Sequence, residues 1–442
     1  MRPDRRAYGP RHRWVVLAVG VGAQAAFAAM FSGIPVTGVS MRAGYHLSTE
    51  ALGLVLACLG LGVAASDIVW GLLTDRFGDR RVLLTGLSAT GALLAVMAVA
   101  VTPPDGAGVA LLALCLALAG ALGGSVNGAS GRAVMTWFAE GERGFAMSIR
   151  QTAIPVGGAV GVALLPWLAG SYGFRAAYAV PAAFCLAAAA ATWRWLHEPA
   201  PPDPGTGPAA PASGARPRGG AAPRPEVADD RSPLRRWDVW RLALAGALLT
   251  VPQFAVLSFT AIFLHDVKGE GATLAGITVV IAQLGGGAAR IWTGRRTDRT
   301  GARRTHIRAI GVLAALAMAG AAALTDAPTP LTVTALALGG LLANAWHGVA
   351  YTEIAAMAGA SRAGAALGLL GTTLFAMGFL TPLLIPMVIA HTSWAAVWGL
   401  AAAASSSPSP RTGRGESTPM TPQRGEEARA PRRSRLGEVR AR

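Results

Sequence analysis

Long apolar runs, separated by short charged segments, recur along this chain. Eleven of them reach the ~20 residues that a helix needs to cross a hydrocarbon core. They cover roughly 14–36, 51–73, 82–102, 109–137, 145–170, 176–196, 241–264, 274–293, 307–325, 331–357 and 363–390. The expected fold class is all-α, a polytopic membrane protein. The first run follows a basic stretch and contains Ala23, Gln24 and Ala25, like a signal peptide, but ten further spans favour a retained helix. Between the sixth and seventh spans, 197–236 is dense in Pro, Gly and Ala and reads as a flexible cytoplasmic linker. That divides the chain into a first bundle (1–196), the linker (197–236), a second bundle (237–404) and a basic tail (405–442) expected to be disordered. A twelfth helix begins after Ala390, but its apolar run from Ala395 to Ala404 would rise only ~15 Å, so it is expected to be truncated, by a frame change in the gene on one hypothesis.

Composition sharpens the membrane reading. Hydrophobic residues make up 52% and charged residues 14%, more apolar sequence than a soluble core of this length needs. The net charge of +16 would suit nucleic acid, yet Lys268 is the single lysine and the arginines cluster in short loops and tails. No nucleic-acid partner is expected; the bilayer is. With a cytoplasmic N-terminus, Arg76, Arg80, Arg81, Arg143, Arg295, Arg296, Arg299, Arg303, Arg304 and Arg362 fall on inner loops, and the outer loops keep Arg42, Arg175 and Lys268. A multi-pass protein of the cell (inner, cytoplasmic) membrane is the expectation. Cys58, Cys115 and Cys185 stand singly in apolar runs, so neither metal nor cofactor is expected. Nothing forms a nucleophile–base set or a Walker loop, so the chain is expected to be neither an enzyme nor ATP-driven.

One motif is written twice. "WGLLTDRFGDRR" (Trp70–Arg81) returns as "WTGRRTDRTGARR" (Trp292–Arg304), each copy ending the second helix of its half. Gly71 and Gly294 are 223 residues apart; further on, an offset of 220 pairs Gly120 with Gly340, Asn127 with His347 and Pro166 with Pro386. Such duplication is the pattern of transporters that rock two bundles about a central site. G-x-x-x-D-R-x-G-x-R-R at these two loops, with "WFAEGERGFAMSIRQTAIPVGG" (Trp137–Gly158), resembles the major facilitator superfamily, and more loosely its bacterial cyanate-like and nitrate-like permeases. The resemblance implies a fold of two six-helix pseudo-repeats. It implies that Asp75 and Asp298 face the start of a helix in the opposite half, and that Arg76, Arg80, Arg299 and Arg303 join Glu140 or Glu142 in a latch. Gly71, Gly78, Gly294 and Gly301, with Arg81 and Arg304, complete the two gating loops. Drug/proton antiporters of this superfamily carry an Arg where this chain has Leu116, and an adjacent Gly-Pro where it has Gly157, Gly158 and a separate Pro166. Both departures weigh against drug export.

Polar residues inside the spans need a partner or a task. Asp67 lies one turn before Gly71, and Arg290 one turn before Gly294, the same position with the sign reversed. Asp67 is expected to pair with Arg132, and Glu353 with Arg290, as a structural or gating layer; direct proton coupling through Asp67 or Glu353 is the alternative. Arg150 is then the surplus cation, either attracting an anion beside Gln151 and Thr152 or snorkelling to the surface. Helices one, four, seven and ten line the cavity by resemblance, which adds Gln24, Asn127, Gln253 and His347, the last a possible proton carrier. The resulting expectation is a monomeric secondary active transporter moving a small polar or anionic solute by alternating access, with the proton as coupling ion. Export of hydrophobic compounds and a truncated, non-transporting relative are the alternatives.

Overall fold

In the computed structural model, residues 9, 11–103, 108–197 and 232–406 are described, and among them there are helices and no strand. The first half comprises α1 (His12–Val36), the short α2 (Gly38–Gly44), α3 (Thr49–Phe77), α4 (Asp79–Ala100), α5 (Val109–Gly123), α6 (Ser125–Trp137) and α7 (Arg143–Trp195). The second half comprises α8 (Trp237–Lys268), α9 (Ala272–Thr300), α10 (Arg303–Ala323), α11 (Thr329–Ala345), α12 (His347–Ala358), α13 (Ala363–His391) and α14 (Trp394–Ser406). Ten helical segments among the described residues are long and apolar enough to cross a membrane. One of them, Glu140–Trp195, is folded in two at Gly173, where φ is 75° and ψ is 179°, so the ten supply eleven passes. The expected spans at 109–137 and 331–357 are each interrupted once, at Gly124 between α5 and α6 and at Trp346 between α11 and α12.

The repeated glycines have local causes. α3 ends at Gly78 (φ 88°, ψ 163°) and α9 ends at Gly301 (φ 69°, ψ −6°), both in a region that side-chain-bearing residues avoid. The earlier pair, Gly71 and Gly294, serves packing. A Cβ on Gly71 would strike the carbonyl of Gly364, and one on Gly294 would strike the carbonyl of Gly144 and the Ser148 hydroxyl. α3 therefore lies backbone to backbone against α13, and α9 against α7.

Three apolar clusters hold the bundle. One belongs to the first half, another to the second, and the third draws on both, setting Leu17, Met135, Phe138 and Met147 with Trp346, Ile354, Leu367 and Leu370. Uncovered apolar side chains such as Val39, Trp167, Leu284 and Leu316 dress the outside, as befits a lipid-facing surface where close packing, not water exclusion, joins helices. α14 is 13 residues long, ~20 Å of rise, and packs on α10 and α8. The tail from residue 407, and 198–231 of the expected linker, lie outside the described residues. The linker's last residues differ from expectation. Pro233–Arg235 forms a turn with Pro233 buried, and Arg236 donates to the Asp238 carboxylate at 2.6 Å and to the Met357 carbonyl at 2.7 Å.

Candidate functional site

Each repeated loop places its aspartate on the first turn of a helix from the other half. Asp75 Oδ1 and Oδ2 accept from the backbone N–H groups of Gly364 and Ala365, both at 2.8 Å. Asp298 Oδ1 and Oδ2 accept from Gly144 and Phe145, again both at 2.8 Å. The N–H groups of a first helical turn have no partner within the helix and sit at the positive end of its dipole, so a carboxylate satisfies both needs.

The arginines around these latches divide differently from expectation. Arg303 Nη2 reaches the Glu140 carbonyl at 3.5 Å, but Glu142 is taken by Arg13 at 2.5 Å. Arg76 lies over the Phe77 ring, Arg80 donates to the Trp193 carbonyl at 2.7 Å, and Arg81 and Arg299 are exposed. Arg295 stacks its guanidinium 4.2 Å from the Phe145 ring centroid, an inter-half contact that the motif did not reveal.

The two expected ion pairs inside the membrane are not formed. Arg132 turns to the loop end, bonding Asp79 at 2.8 Å, approaching Asp75 at 3.5 Å and donating to the Ala360 carbonyl of the other half at 3.3 Å. Glu353 bonds Arg304 at 2.6 Å, with Arg303 at 4.0 Å. In each case a nearer partner on the adjoining loop wins, since a pair at the membrane edge needs less desolvation than one inside.

Asp67 is instead held by Asn127, whose Nδ2 lies 3.1 and 3.2 Å from the two carboxylate oxygens. Gln24 Nε2 donates to Asn127 Oδ1 at 3.0 Å, and Arg150 Nη2 donates to Gln24 Oε1 at 2.8 Å and to the Asn127 carbonyl at 2.7 Å. Arg150 Nε completes the set on the Ser130 hydroxyl at 2.7 Å. Arg150 is fully buried, so it does not snorkel, and its bonds tie it into the first half rather than leaving it as a free cation. Its ring neighbour is Tyr351 of the second half, 5.8 Å from the centroid.

The second half repeats this plan with other residues. Gln253 Nε2 donates to Asn344 Oδ1 at 2.9 Å, and Arg290 donates to Asn344 Oδ1 at 2.7 Å and to its carbonyl at 2.6 Å. A third Arg290 bond, Nη1 to the Gln151 carbonyl at 2.8 Å, crosses between the halves. His347 stands aside, stacked on Trp346 at 4.1 Å with Nδ1 against the Asn344 carbonyl at 3.2 Å. Asn344 is the residue that sequence reasoning missed. The 220-residue offset that aligns the helix starts sends Asn127 to His347, and only the paired Gln–Asn bonds show that Asn344 holds the equivalent place.

Around this core several buried polar atoms have no hydrogen-bond partner: both ends of the Gln151 carboxamide, Gln253 Oε1, Ser148 Oγ and Trp346 Nε1. Tyr351's hydroxyl lies beside the Gln151 carboxamide without a bond of good geometry. The crevice lined by Gln253, Val256, Gln283, Gly340 and Asn344 is too tight to admit water, and Asp67, Arg150 and Arg290 are buried. No group of His, Cys, Asp and Glu able to hold a metal occurs among the described residues.

Two duplicated bundles, latched carboxylate to helix start at one end and enclosing a buried polar core, define a membrane transporter of the two-bundle kind. The Major Facilitator Superfamily model matches residues 17–382, and the chain belongs to that family. It is 30% identical over 398 residues to an uncharacterized MFS-type transporter of Mycobacterium tuberculosis (strain ATCC 25618 / H37Rv), covering 90% of this chain and 84% of the relative. A probable sulfoacetate transporter of Cupriavidus necator is 31% identical over 153 residues, 35% of this chain and 34% of that one. Among solved structures, the human organic anion transporter MFSD10 shares the fold with a TM-score of 0.69 at 16% identity, over 90% of this chain and 98% of its own.

Proposed function

We propose that the chain is a secondary active transporter that moves a small organic anion across the cytoplasmic membrane by alternating access, driven by protons. The observation that carries this reading is the charge balance of the buried core. Among the described residues Arg150 and Arg290 are buried there with Asp67 as the one carboxylate, and no ion pair joins them. A desolvated guanidinium without a counter-ion is costly, and a solute that supplies the missing negative charge is favoured there over a neutral one. The likeness of one third of the chain to a probable sulfoacetate transporter agrees with that sign. The excess of arginine at the latched end supports a cytoplasmic position for that end and for the start of α1.

Asp67 is the proton carrier in this reading. Among the described residues its carboxylate has only the Asn127 amide as a donor, and a Cβ on Gly371 of the opposite half would strike it, so it lies in the seam that rocking opens and closes. Glu353 is engaged by Arg304 at the loop end and is less suited to the task. The test is uptake of small carboxylates and sulfonates, with neutral sugars beside them, into proteoliposomes with and without an inward proton gradient. Saturable anion uptake that the gradient accelerates several-fold is expected. In Asp67→Asn the acceleration is expected to vanish while anion exchange at equal pH persists. Uptake confined to neutral solutes would remove the anion reading, and undiminished acceleration in Asp67→Asn would remove the proton role.

A further inference from the structure

The bond from Arg290 to Gln151 has an origin in the sequence. A helical carbonyl at position i bonds the N–H at i+4, and four residues after Gln151 stands Pro155, which has no N–H and whose ring pushes that carbonyl outward. The Gln151 carbonyl is thereby released from α7, and Arg290 Nη1 of α9 takes it at 2.8 Å. At the equivalent place in α13 the residue is Phe375, so the opposite seam has no such released carbonyl. All three acceptors of Arg290 are neutral, a released backbone carbonyl and the two oxygens of Asn344, and no carboxylate among the described residues forms an ion pair with it. Two of the five N–H groups of a guanidinium are left over. The carboxamide of the same Gln151 is fully buried with neither end hydrogen-bonded, and Tyr351 neighbours both it and Arg290.

We infer that Arg290 and the Gln151 carboxamide form the binding site for the oxyanion head of the solute, a carboxylate or sulfonate, and that the Gln151 carbonyl is the resting partner that the solute displaces. This rests on the anion reading above and names its site. An arriving oxyanion takes the Nη1 N–H from the carbonyl and a further N–H from the unused pair, and the Gln151 amide donates to it from the other half. Bonds from the guanidinium to a charged acceptor replace one to a neutral acceptor. The tie between the halves at the α7–α9 seam is then held through the solute, and its departure restores the direct bond. Arg150, tied by five oxygen and sulfur acceptors within the first half and facing no released carbonyl, is a framework residue.

The two halves of the idea predict opposite effects. Binding of acetate, methanesulfonate and sulfoacetate, with neutral acetamide as control, is measured on the purified full chain in detergent. Wild type is expected to bind at least one oxyanion and not acetamide, and the preferred probe tells carboxylate from sulfonate. Arg290→Gln is expected to weaken that binding at least tenfold. Pro155→Ala returns an N–H to the Gln151 carbonyl, weakens the resting bond, and is expected to tighten binding about two- to tenfold, the range of one hydrogen bond's net worth. If Arg290→Gln does not fold, Arg290→Lys, which keeps the charge and loses the fork, decides in its place with a smaller loss. Equal affinity in the Arg290 variant, or unchanged or weaker binding in Pro155→Ala, would overturn the inference while leaving wild-type anion transport standing. A wild type that binds none of the three oxyanions ends both.

Discussion

The two seams that join the halves are built alike and charged oppositely. In the α3–α13 seam, Gly71 meets Gly364, Asp75 caps the start of α13, and eight residues further in, ~12 Å along the helix, stands Asp67 facing Gly371. In the α7–α9 seam, Gly294 meets Gly144, Asp298 caps the start of α7, and the residue eight positions further in is Arg290, facing Gln151. The parts that fix how closely two helices approach are identical in the two copies. The parts that would meet a solute or a proton are not. Duplication has kept the mechanical end, where any change alters a backbone contact, and has let the chemistry diverge at positions where a new side chain is accommodated by its own half's network.

Equivalence at the latches is the strongest claim in this comparison and has the largest expected effect. Each aspartate accepts two charge-assisted bonds, and hydrogen bonds to charged groups contribute about 1.5–3 kcal/mol each. Asp75→Ala or Asp298→Ala is therefore expected to shift the closed–open balance by about 3 kcal/mol, roughly a hundredfold, toward the open form. Maleimide labelling of Ser148→Cys and Ala365→Cys, buried in one seam each, reads the shift in a background without Cys58, Cys115 and Cys185. Either aspartate change is expected to raise labelling of both cysteines, because the bundles rock as bodies. A change that opens its own seam alone would break the comparison.

The inner positions sharpen it, with a smaller effect of opposite sign. Gly371 and Gln151 occupy equivalent places, but a Cβ at 371 would collide with the Asp67 carboxylate. Gly371→Ala is expected to cost about 1–3 kcal/mol, the usual penalty of overpacking a close contact. Gln151→Ala removes a buried amide that has no partner, so stability is expected to be unchanged or slightly higher. Thermal unfolding of the two purified variants checks this, and equal destabilisation would mean that the Gln151 amide is satisfied in the resting protein.

How much of this was written legibly in the sequence depends on how local the determinant is. The passes followed from apolar length, and the placing of Asp75 and Asp298 against helix starts was what the family resemblance of the doubled loop implied. The ion pairs did not. Asp67, Arg132, Arg290 and Glu353 stand on four different helices, and sequence spacing cannot tell which of several neighbours lies closer in space. Asn344 escaped for a related reason, since the interruption at Trp346 falls at a different register from that at Gly124. The signal that was available and unused is Pro155, whose missing N–H marks the one carbonyl in that turn that must find a partner elsewhere.

The smallest expected difference lies in the two loop glycines, which the motif writes with the same letter. Gly301, at φ 69° and ψ −6°, is in the left-handed region that Asn also visits. Gly78, at φ 88° and ψ 163°, is in a region open almost to glycine alone. Gly301→Asn is therefore expected to cost less than about 1 kcal/mol, and Gly78→Asn about 1–3 kcal/mol, although both replace the same residue of the same motif. Unfolding midpoints of the two variants separate them. If both changes cost the same, the turn after α3 relaxes freely once its glycine is replaced, and the α3–α4 corner is no stiffer than its duplicate between α9 and α10. A clear difference would show that even the mechanical end has begun to diverge, in backbone before side chain.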